Sequence, residues 1–565
     1  MRHPLLTLVA LCALLAPMTQ RSADAQAMAS PTSATPARAR VIVKFKADSV
    51  LLRKQVQSAT ERHSTQARAL GQRVGMALEG GAGVTDRTQV VLATGVDSAE
   101  LAARLAQEPD IEYAVVDHRR RAFAPPNDPL YGAGVPGNGP AVGQWYLRAP
   151  AGAVTSSLNV EAAWDITLGS PSIIVAVLDT GVRFDHADMG SNLLPGYDMV
   201  SDVPTANDLN GRDSDASDPG DWVTQAENDL VGGDFEGCGR ADSSWHGTQM
   251  SGIVAALTNN GVGMAGVGRS VRVLPVRVLG KCGGFDSDIM AGMRWAAGLS
   301  VPGLPVNTTP ARVINLSLGG PGECNTVNSV SGSSYADIVA EVTAAGTAIV
   351  ASAGNSAGQA VSVPAKCSGV IGVGALRHVG TKVGFSDLGP EISISAPGGN
   401  CVNSDPADPC LFPILTSTNA GTTTPTPGSS IYTDSFNASV GTSFSAPLVA
   451  GTAALMLSAR PSLTPAEVRS MMRSSARPFP TSGGSAGSPQ CHAPNGTDQV
   501  ECYCTTSTCG AGMLDAGAAV QAAVVGPPAP SSDGGGGGGG ALGLHWLLGL
   551  LAAVVGVRSG TRRPS

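Results

Sequence analysis

The chain has 565 residues, of which 42% are hydrophobic and 4% aromatic, and it contains 72 glycines. This length exceeds one ordinary domain, and the glycine-rich, aromatic-poor composition suits an α/β core with tight turns. A net charge of -8 leaves no overall basic footprint, so no nucleic-acid partner is predicted.

The first 25 residues are predicted to be a secretory signal. A basic start precedes an apolar run from Leu5 to Pro17 and a small-residue cleavage site at Ala23 to Ala25. The pattern predicts a secreted, extracellular protein. Ten of the 11 cysteines follow this segment and allow up to five disulfides. Zinc binding is the alternative for these cysteines, and Cys401 with Cys410 is one plausible pair.

Residues 26–124 are predicted to form a small α+β domain. The segments "ARVIVKFK" and "TQVVLATG" indicate strands, and "DSAELAARLAQEPDIEYAVVD" indicates a capped helix that leads into a third strand. The domain ends in "HRRRAFAPP", where Arg119 to Arg121 precede two prolines. This stretch is predicted to be an exposed linker and a cleavage zone. An ordinary solvated charge run is the alternative.

Residues 125–525 are predicted to form an α/β domain with a mainly parallel sheet and helices on both faces. Several short segments are apolar throughout, as strands buried on both faces are: "IIVAVLD", "VRVLPVRVL", "RVINLSL", "TAIVASAGN" and "VIGVGAL". Helical patterns such as "HGTQMSGIVAALTNN" and "SFSAPLVAGTAALMLSAR" lie between or after them. Thr464, Pro465 and Glu467 predict a capping box at the start of a late helix.

The C-terminal segment combines a glycine-rich linker over 526–540 with an apolar helix and a basic tail over 541–565. The apolar stretch from Ala541 to Val557 is close to the shortest that spans a bilayer, and three arginines follow it. The layout resembles the glycine-rich sorting signals of some exported Gram-negative proteins, and a permanent anchor is the alternative. Either reading predicts contact with a membrane, transient or permanent.

Three polar residues stand at the ends of predicted buried elements. Asp179 closes the strand "VAVLD", His246 opens an apolar helix, and Ser443 follows a glycine at the start of another. A serine nucleophile needs an imidazole to remove its proton and a carboxylate to orient that imidazole. Taken singly, each residue is better explained by a turn, a cap or a packed ring. Their order along the chain, Asp, His and Ser, matches the subtilisin arrangement.

Five motifs make the chain resemble the subtilisin (subtilase) family of secreted serine endopeptidase precursors. They are "DTGV" from Asp179, "HGT" from His246, "NLSLGG" from Asn315, "SAGN" from Ser352 and "GTSFSAPLVAG" from Gly441. The resemblance covers most of residues 157–522 and implies a doubly wound, mainly parallel α/β fold. It also implies a serine endopeptidase that is made as an autoprocessed zymogen and acts on proteins or peptides. Many relatives carry a second histidine where this chain has Gln249, a position outside the triad.

The resemblance implies roles for further residues. Asn355 and the backbone N–H of Ser443 would stabilise the oxyanion of the reaction. Three residues would pair with the main chain of the substrate: Ser317, Leu318 and Gly319. Three would line the first specificity pocket: Ala353, Gly354 and Ser362. A serine at position 362, where many relatives have glycine, would make the pocket floor shallower or more polar.

The early α+β domain resembles the propeptide of the family, an inhibitor and folding chaperone, so the chain's own propeptide is an expected intramolecular partner. Calcium is the one cofactor expected, because exported subtilases use it to hold loops, and no organic cofactor is expected. The candidate ligands lie in the acidic segment 201–222: Asp208, Asp213 and Asp218. A solvated acidic loop without an ion is the alternative.

Two other functions remain open from the sequence. A catalytically silent surface-binding protein would retain the fold, although the complete triad and Asn355 argue against it. An esterase or lipase would use the same triad, but the strand-edge motif at Ser317 suits peptides better.

Overall fold

The computed structural model describes residues 38–52, 59–117, 125–133, 142–324, 335–399, 411–434 and 440–526. The chain divides into two compact units, residues 1–121 and 122–565. The predicted secretory signal, the arginine cluster and the apolar C-terminal stretch lie outside the described residues. The predictions about those segments therefore stay predictions.

The first unit contains a four-stranded antiparallel sheet and two helices. In chain order the elements are β1 (Ala39–Phe45), α1 (Ala59–Val74), β2 (Leu78–Thr85), β3 (Thr88–Ala93), α2 (Ser98–Ala106) and β4 (Ile111–Val116). The strands follow the order β2-β3-β1-β4 in the sheet. Asp97 caps α2 by accepting a hydrogen bond from the Glu100 N–H at 2.8 Å. The α+β character predicted for this part of the chain is present.

The second unit is built on a seven-stranded sheet in which all neighbouring strands run parallel, in the order β11-β10-β9-β8-β5-β7-β6. Its strands are β5 (Ile174–Asp179), β6 (Tyr197–Asp198), β7 (Arg272–Arg277), β8 (Val313–Leu316), β9 (Ala348–Ser352), β10 (Ile371–Leu376) and β11 (Ile392–Pro397). A separate antiparallel pair joins β12 (Thr416–Thr418) to β13 (Ile431–Thr433). The predicted mainly parallel sheet is confirmed.

Helices cover both faces of this sheet. The described helices of this unit, in chain order, are α3 (Pro129–Gly132), α4 (Val160–Trp164), α5 (Val203–Ala206), α6 (Gln225–Asn228), α7 (His246–Ala255), α8 (Asp286–Ala296), α9 (Tyr335–Ala344), α10 (Thr442–Ala459), α11 (Pro465–Ser474) and α12 (Ala516–Val525). Alternate residues of β5 enter two different cores. Val175 and Val177 pack in the core that contains α7 and α10 residues, whereas Ala176 and Leu178 pack in the core that contains α8 and α9 residues.

Helix α10 forms the centre of one of these cores. Among the described helices it is the one that is long and apolar enough to cross a membrane by length and composition, yet 83% of it is buried inside the protein. Its apolar residues lie all around the helix, as expected for a helix packed on every side. The helix therefore holds its first residues rigidly against the sheet.

Four disulfides join described cysteines: Cys238–Cys282, Cys324–Cys367, Cys491–Cys502 and Cys504–Cys509. Three of the sulfur atoms lie within 4.8 Å of one another, those of Cys491, Cys504 and Cys509. Because disulfides already use these sulfurs, their proximity does not support the zinc alternative. Cys401 and Cys410 lie outside the described residues, so that pair stays a prediction.

Candidate active site

Asp179 is the last residue of β5, at the carboxyl edge of the parallel sheet where ligands bind in open α/β folds. Its side chain is fully buried. Oδ1 accepts a hydrogen bond from the Thr180 N–H at 2.8 Å. The carboxylate is therefore held in a fixed direction at the end of a rigid strand.

His246 is the first residue of α7 and faces this carboxylate. Its Nδ1 lies 2.8 Å from Oδ1 and 3.0 Å from Oδ2 of Asp179. Because an ionised carboxylate only accepts hydrogen bonds, Nδ1 carries the proton and Nε2 is free to accept one. Burial lowers the pKa of His246, but the charge and hydrogen bond of Asp179 outweigh it, so the pKa lies above its usual value.

The start of α7 packs very closely on the turn after β5. A Cβ atom at Gly247 would collide with the carbonyl oxygen of Gly181. The Gly247 N–H donates to the Thr180 hydroxyl at 3.0 Å, and that hydroxyl donates to Oδ2 of Asp218 at 2.6 Å. Asp218 is fully buried, and burial together with the charge of Asp221 raises its pKa to about 7. This chain of contacts fixes the helix that carries the imidazole.

Ser443 is the second residue of α10 and follows Gly441, whose φ of 149° is unfavourable for any side chain. His246, Asn355 and Ser443 line one cleft of about 740 Å³. The Ser443 hydroxyl donates to the Ser317 carbonyl at 3.2 Å, so its proton points away from the imidazole in this structure. The structure thus brings the three predicted triad residues to one site, with the serine hydroxyl turned aside.

Asn355 lies beside the start of α10. Its Oδ1 accepts hydrogen bonds from the Thr442 N–H at 3.0 Å and from the Thr442 hydroxyl at 2.9 Å. A Cβ atom placed on Gly441 would lie 3.5 Å from Asn355 Nδ2 and 3.6 Å from the backbone nitrogen of Ser443. The two donors predicted for the oxyanion, the side-chain amide of Asn355 and the backbone N–H of Ser443, therefore lie close to the same position beside Gly441.

The residues predicted to bind substrate follow the ends of β8 and β9. Ser317 is buried, Leu318 is half-buried and Gly319 is exposed. Ser317 Oγ donates to the Ser443 carbonyl at 2.7 Å, which joins this segment to the start of α10. Just beyond it, Gly320 and Val363 exchange two backbone hydrogen bonds of 3.0 Å.

The three residues predicted for the first specificity pocket lie together. The Ser362 N–H donates to the Ala353 carbonyl at 2.9 Å. Gly354 has a φ of 117°, and a Cβ atom there would lie 2.7 Å from Ser362 Oγ and would collide with Asp387 Oδ2. Sequence reasoning missed Asp387, whose Oδ2 has no hydrogen-bond partner among the described residues and whose pKa is raised to about 6 by burial. No sequence motif marks this residue, because its position depends on a loop after β10.

The three predicted calcium ligands do not converge. Asp208 Oδ2 lies 2.7 Å from the guanidinium of Arg277. Asp218 Oδ2 accepts a hydrogen bond from the Thr180 hydroxyl at 2.6 Å. Asp213 Oδ1 accepts from the Asp215 N–H at 2.7 Å. Among the described residues these carboxylates do not form a cluster close enough to share one ion. The positions of these three residues therefore do not support the expectation that they bind one calcium ion together, because each carboxylate contacts a different part of the protein.

Comparison with known proteins agrees with this geometry. A sequence profile described as the subtilase family matches residues 170–502. The chain is 40% identical over 442 residues to an extracellular protease of Xanthomonas campestris pv. campestris, covering 76% of this chain and 63% of that protein. It is 36% identical over 373 residues to the extracellular basic protease of Dichelobacter nodosus, covering 65% of this chain and 55% of that protein.

The chain is also similar to a solved protease structure of Pseudoalteromonas arctica. It is 41% identical, with a TM-score of 0.56, and the match covers 71% of this chain and all of that chain. The matched parts span less than two thirds of the length of both curated relatives. Because the profile covers more than half of the sequence, this chain belongs to the subtilase family.

Proposed function

We propose that the chain is a serine endopeptidase that hydrolyses peptide bonds through an acyl-enzyme. The observation that carries the proposal is the Asp179–His246 pair at 2.8 Å, in which His246 lines the same cleft as Ser443 and Asn355. A nucleophile, a base with its orienting carboxylate, and two oxyanion donors are together the parts that acyl transfer needs.

The first step forms the acyl-enzyme. The Ser443 hydroxyl turns from the Ser317 carbonyl to His246, and Nε2 removes its proton as Oγ attacks the scissile carbonyl carbon. Asp179 holds the imidazole and stabilises its positive charge. Asn355 Nδ2 and the Ser443 N–H stabilise the negative oxygen of the tetrahedral intermediate. The imidazolium then protonates the leaving amine and the C–N bond breaks.

The second step releases the acyl group. Water enters the place of the amine, His246 takes one of its protons, and the oxygen attacks the acyl carbon. Collapse of this intermediate breaks the bond to Ser443 Oγ, which recovers its proton from the imidazolium. Every proton that leaves an attacking oxygen is therefore returned to a leaving group by the same imidazole.

Peptides suit this site better than lipid esters. The segment Ser317 to Gly319 offers backbone groups beside the nucleophile, and an extended peptide would add to it as a strand. Comparing the hydrolysis of casein and tributyrin by the same preparation tests this choice. Faster hydrolysis of tributyrin would overturn the peptidase proposal in favour of an esterase.

Labelling with a fluorophosphonate tests the nucleophile. We expect the reagent to label Ser443, and Ser443→Ala to abolish both the labelling and casein hydrolysis. Ser458→Ala is the matched control, because this serine lies near the end of the same helix and donates to the Ala454 carbonyl. Residual labelling and full activity in Ser443→Ala would refute the assignment.

We propose that the protein is secreted as a zymogen whose first unit acts as an intramolecular inhibitor. The support is the predicted signal segment and the two relatives that are named as extracellular proteases. Ser443→Ala should leave the precursor uncut in the region 119–126, as read by mass spectrometry of the intact chain. Normal cleavage in that variant would show that another protease matures it. Contact of the C-terminal stretch with a membrane is also proposed, on its sequence alone.

Calcium is proposed only as a stabilising ion, with no ligand assigned in the segment 201–222. Chelation should lower the melting temperature of the mature protein if such an ion is bound. An unchanged melting temperature in chelator would refute it. Asp213→Asn should leave the response to the chelator as it is in the unsubstituted protein.

A further inference from the structure

A second cavity, of about 280 Å³, adjoins the cleft that holds Ser443, and Ser244 and His246 line both. Asp221, Val223, Ser244, Leu279 and the Cys238–Cys282 disulfide contribute to its walls. Pockets for whole small molecules start at about 300 Å³, so this cavity suits a single side chain. The reaction steps described above do not use it.

The walls of this cavity differ in polarity. Val223, Leu279 and the disulfide form apolar walls, whereas Asp221 contributes a carboxylate. Asp221 accepts two hydrogen bonds, from the Ser244 N–H at 2.6 Å and the Ser244 hydroxyl at 2.7 Å. A carboxylate has about four acceptor positions, so two remain for another donor. A cavity that combines apolar walls with a carboxylate complements the aliphatic stem and charged head of lysine or arginine.

No cation among the residues that line the cavity neutralises Asp221, apart from His246 when it is protonated. Two basic residues are sequence neighbours of the lining residues, and both are paired elsewhere: Lys281 is buried and pairs with Glu227, and Arg240 pairs with Asp242. The Lys281 ammonium also lies 5.2 Å from the centre of the Trp222 ring and 4.9 Å from that of Phe235. The charge of Asp221 is therefore available to a bound side chain.

The position of the cavity indicates which substrate residue would enter it. Side chains alternate in an extended strand, so when the P1 side chain points to Gly354, the P2 side chain points the opposite way. His246 lines both the cleft of Ser443 and this second cavity. Thr180 also lines the second cavity. We propose that the cavity binds a basic P2 side chain and that Asp221 determines this specificity. The proposal rests on the proposed peptidase function.

Two internally quenched peptides that differ only at P2 test it, one with lysine and one with norleucine, both with phenylalanine at P1. We expect kcat/KM to favour the lysine peptide by about tenfold or more, the usual effect of a charge-assisted hydrogen bond. Asp221→Asn keeps the shape and should reduce the preference to within about threefold, whatever it does to overall activity. The ratio within each enzyme cancels general losses.

Two controls make the result decisive. Asp215→Asn removes the same charge from the same acidic segment but does not line the cavity, and it should keep the preference. In the unsubstituted enzyme, raising NaCl from 0.05 M to 1 M should also weaken the preference, because salt screens the pair. This measurement holds even if Asp221→Asn does not fold.

Equal rates for the two peptides, or a lysine preference that survives in Asp221→Asn, would overturn the role of Asp221. Both results leave the peptidase function standing. Failure of the unsubstituted enzyme to cleave either peptide or casein would overturn the peptidase function, and this inference with it.

Discussion

The side-chain amide of Asn355 has its orientation set by one neighbour. The Thr442 N–H faces it at 3.0 Å, and a backbone N–H can only donate, so the facing atom must be the carbonyl oxygen. The Thr442 hydroxyl supports the same orientation at 2.9 Å. The NH₂ group is consequently presented beside the Ser443 N–H without any rearrangement during the reaction, which is what makes such donors effective.

Asn355→Ala should lower kcat by about 10²–10³ with little change in KM, because the lost hydrogen bond forms mainly in the transition state. Steady-state kinetics on one peptide substrate measure both constants. Labelling of Ser443 should persist at a reduced rate, which shows that the fold is retained. A raised KM with an unchanged kcat would instead place Asn355 in ground-state binding.

The activity should depend on pH through His246. Only the neutral imidazole accepts the serine proton, so kcat/KM should rise with pH as His246 loses its proton. Asp179 raises the pKa of His246, so the midpoint of this rise should lie above about 6.5. Asp179→Asn removes the charge and should move the midpoint to lower pH while reducing kcat by about 10⁴. A midpoint that does not move would show that another group controls the acid limb.

At the scale of elements, the active site depends on how closely α7 approaches the turn after β5. A Cβ atom at Gly247 would collide with the Gly181 carbonyl, and the helix would have to move away from Asp179. The two hydrogen bonds through Thr180 would stretch at the same time. Glycine at this position therefore keeps the imidazole within hydrogen-bond distance of its carboxylate.

Gly247→Ala should lower kcat and cost about 1–3 kcal/mol of stability, as overpacking usually does. Gly132→Ala is the matched control, because a Cβ atom there would have no neighbour within 4 Å. Denaturant unfolding in an Ser443→Ala background measures stability without self-digestion, and kinetics in the active enzyme measure kcat. Full activity in Gly247→Ala would show that α7 can shift without separating His246 from Asp179.

The positions of Asp179, His246 and Ser443 at element ends could be predicted, because apolar runs and small residues mark those ends in the sequence. The capping box at Thr464 was equally visible, and its two hydrogen bonds are present. The partners of the acidic loop could not be predicted in this way. Asp208 pairs with Arg277, and Asp218 accepts a hydrogen bond from Thr180. These contacts depend on the path of an irregular loop, whose sequence has no periodic pattern from which they could be predicted.

At the scale of the whole second unit, two buried basic side chains contact oxygen atoms from distant parts of the chain. Arg277 is fully buried and contacts the carboxylates of Asp198 and Asp208. Lys382 is also fully buried, and its Nζ donates to the Gln499 carbonyl at 2.5 Å and the Val500 carbonyl at 2.8 Å. Burial lowers the pKa of Lys382 to about 7, and both buried groups would be costly to leave without partners.

The stability of this unit should also respond to pH through His378. The ring is buried and stacks on Phe412 with 3.9 Å between centroids. Burial, helped by the charge of Arg377, lowers the pKa of His378 to about 4. Between about 6.5 and 4 the unfolded chain binds a proton that the folded chain does not, so stability falls as pH decreases across this window. The loss from this group is limited to about 3 kcal/mol.

Other buried groups act in the opposite direction, so the comparison must be made between variants. Burial raises the pKa of Asp218 to about 7 and of Asp387 to about 6, and their protonation in the folded state adds stability as pH falls. His378→Phe keeps the stack on Phe412 and removes the titration. In an Ser443→Ala background, the drop in unfolding free energy from pH 7 to pH 4.5 should be about 2 kcal/mol smaller with His378→Phe. His492→Phe, which removes an exposed imidazole, should leave the drop unchanged, and an equal drop in all three proteins would exclude His378 as its cause.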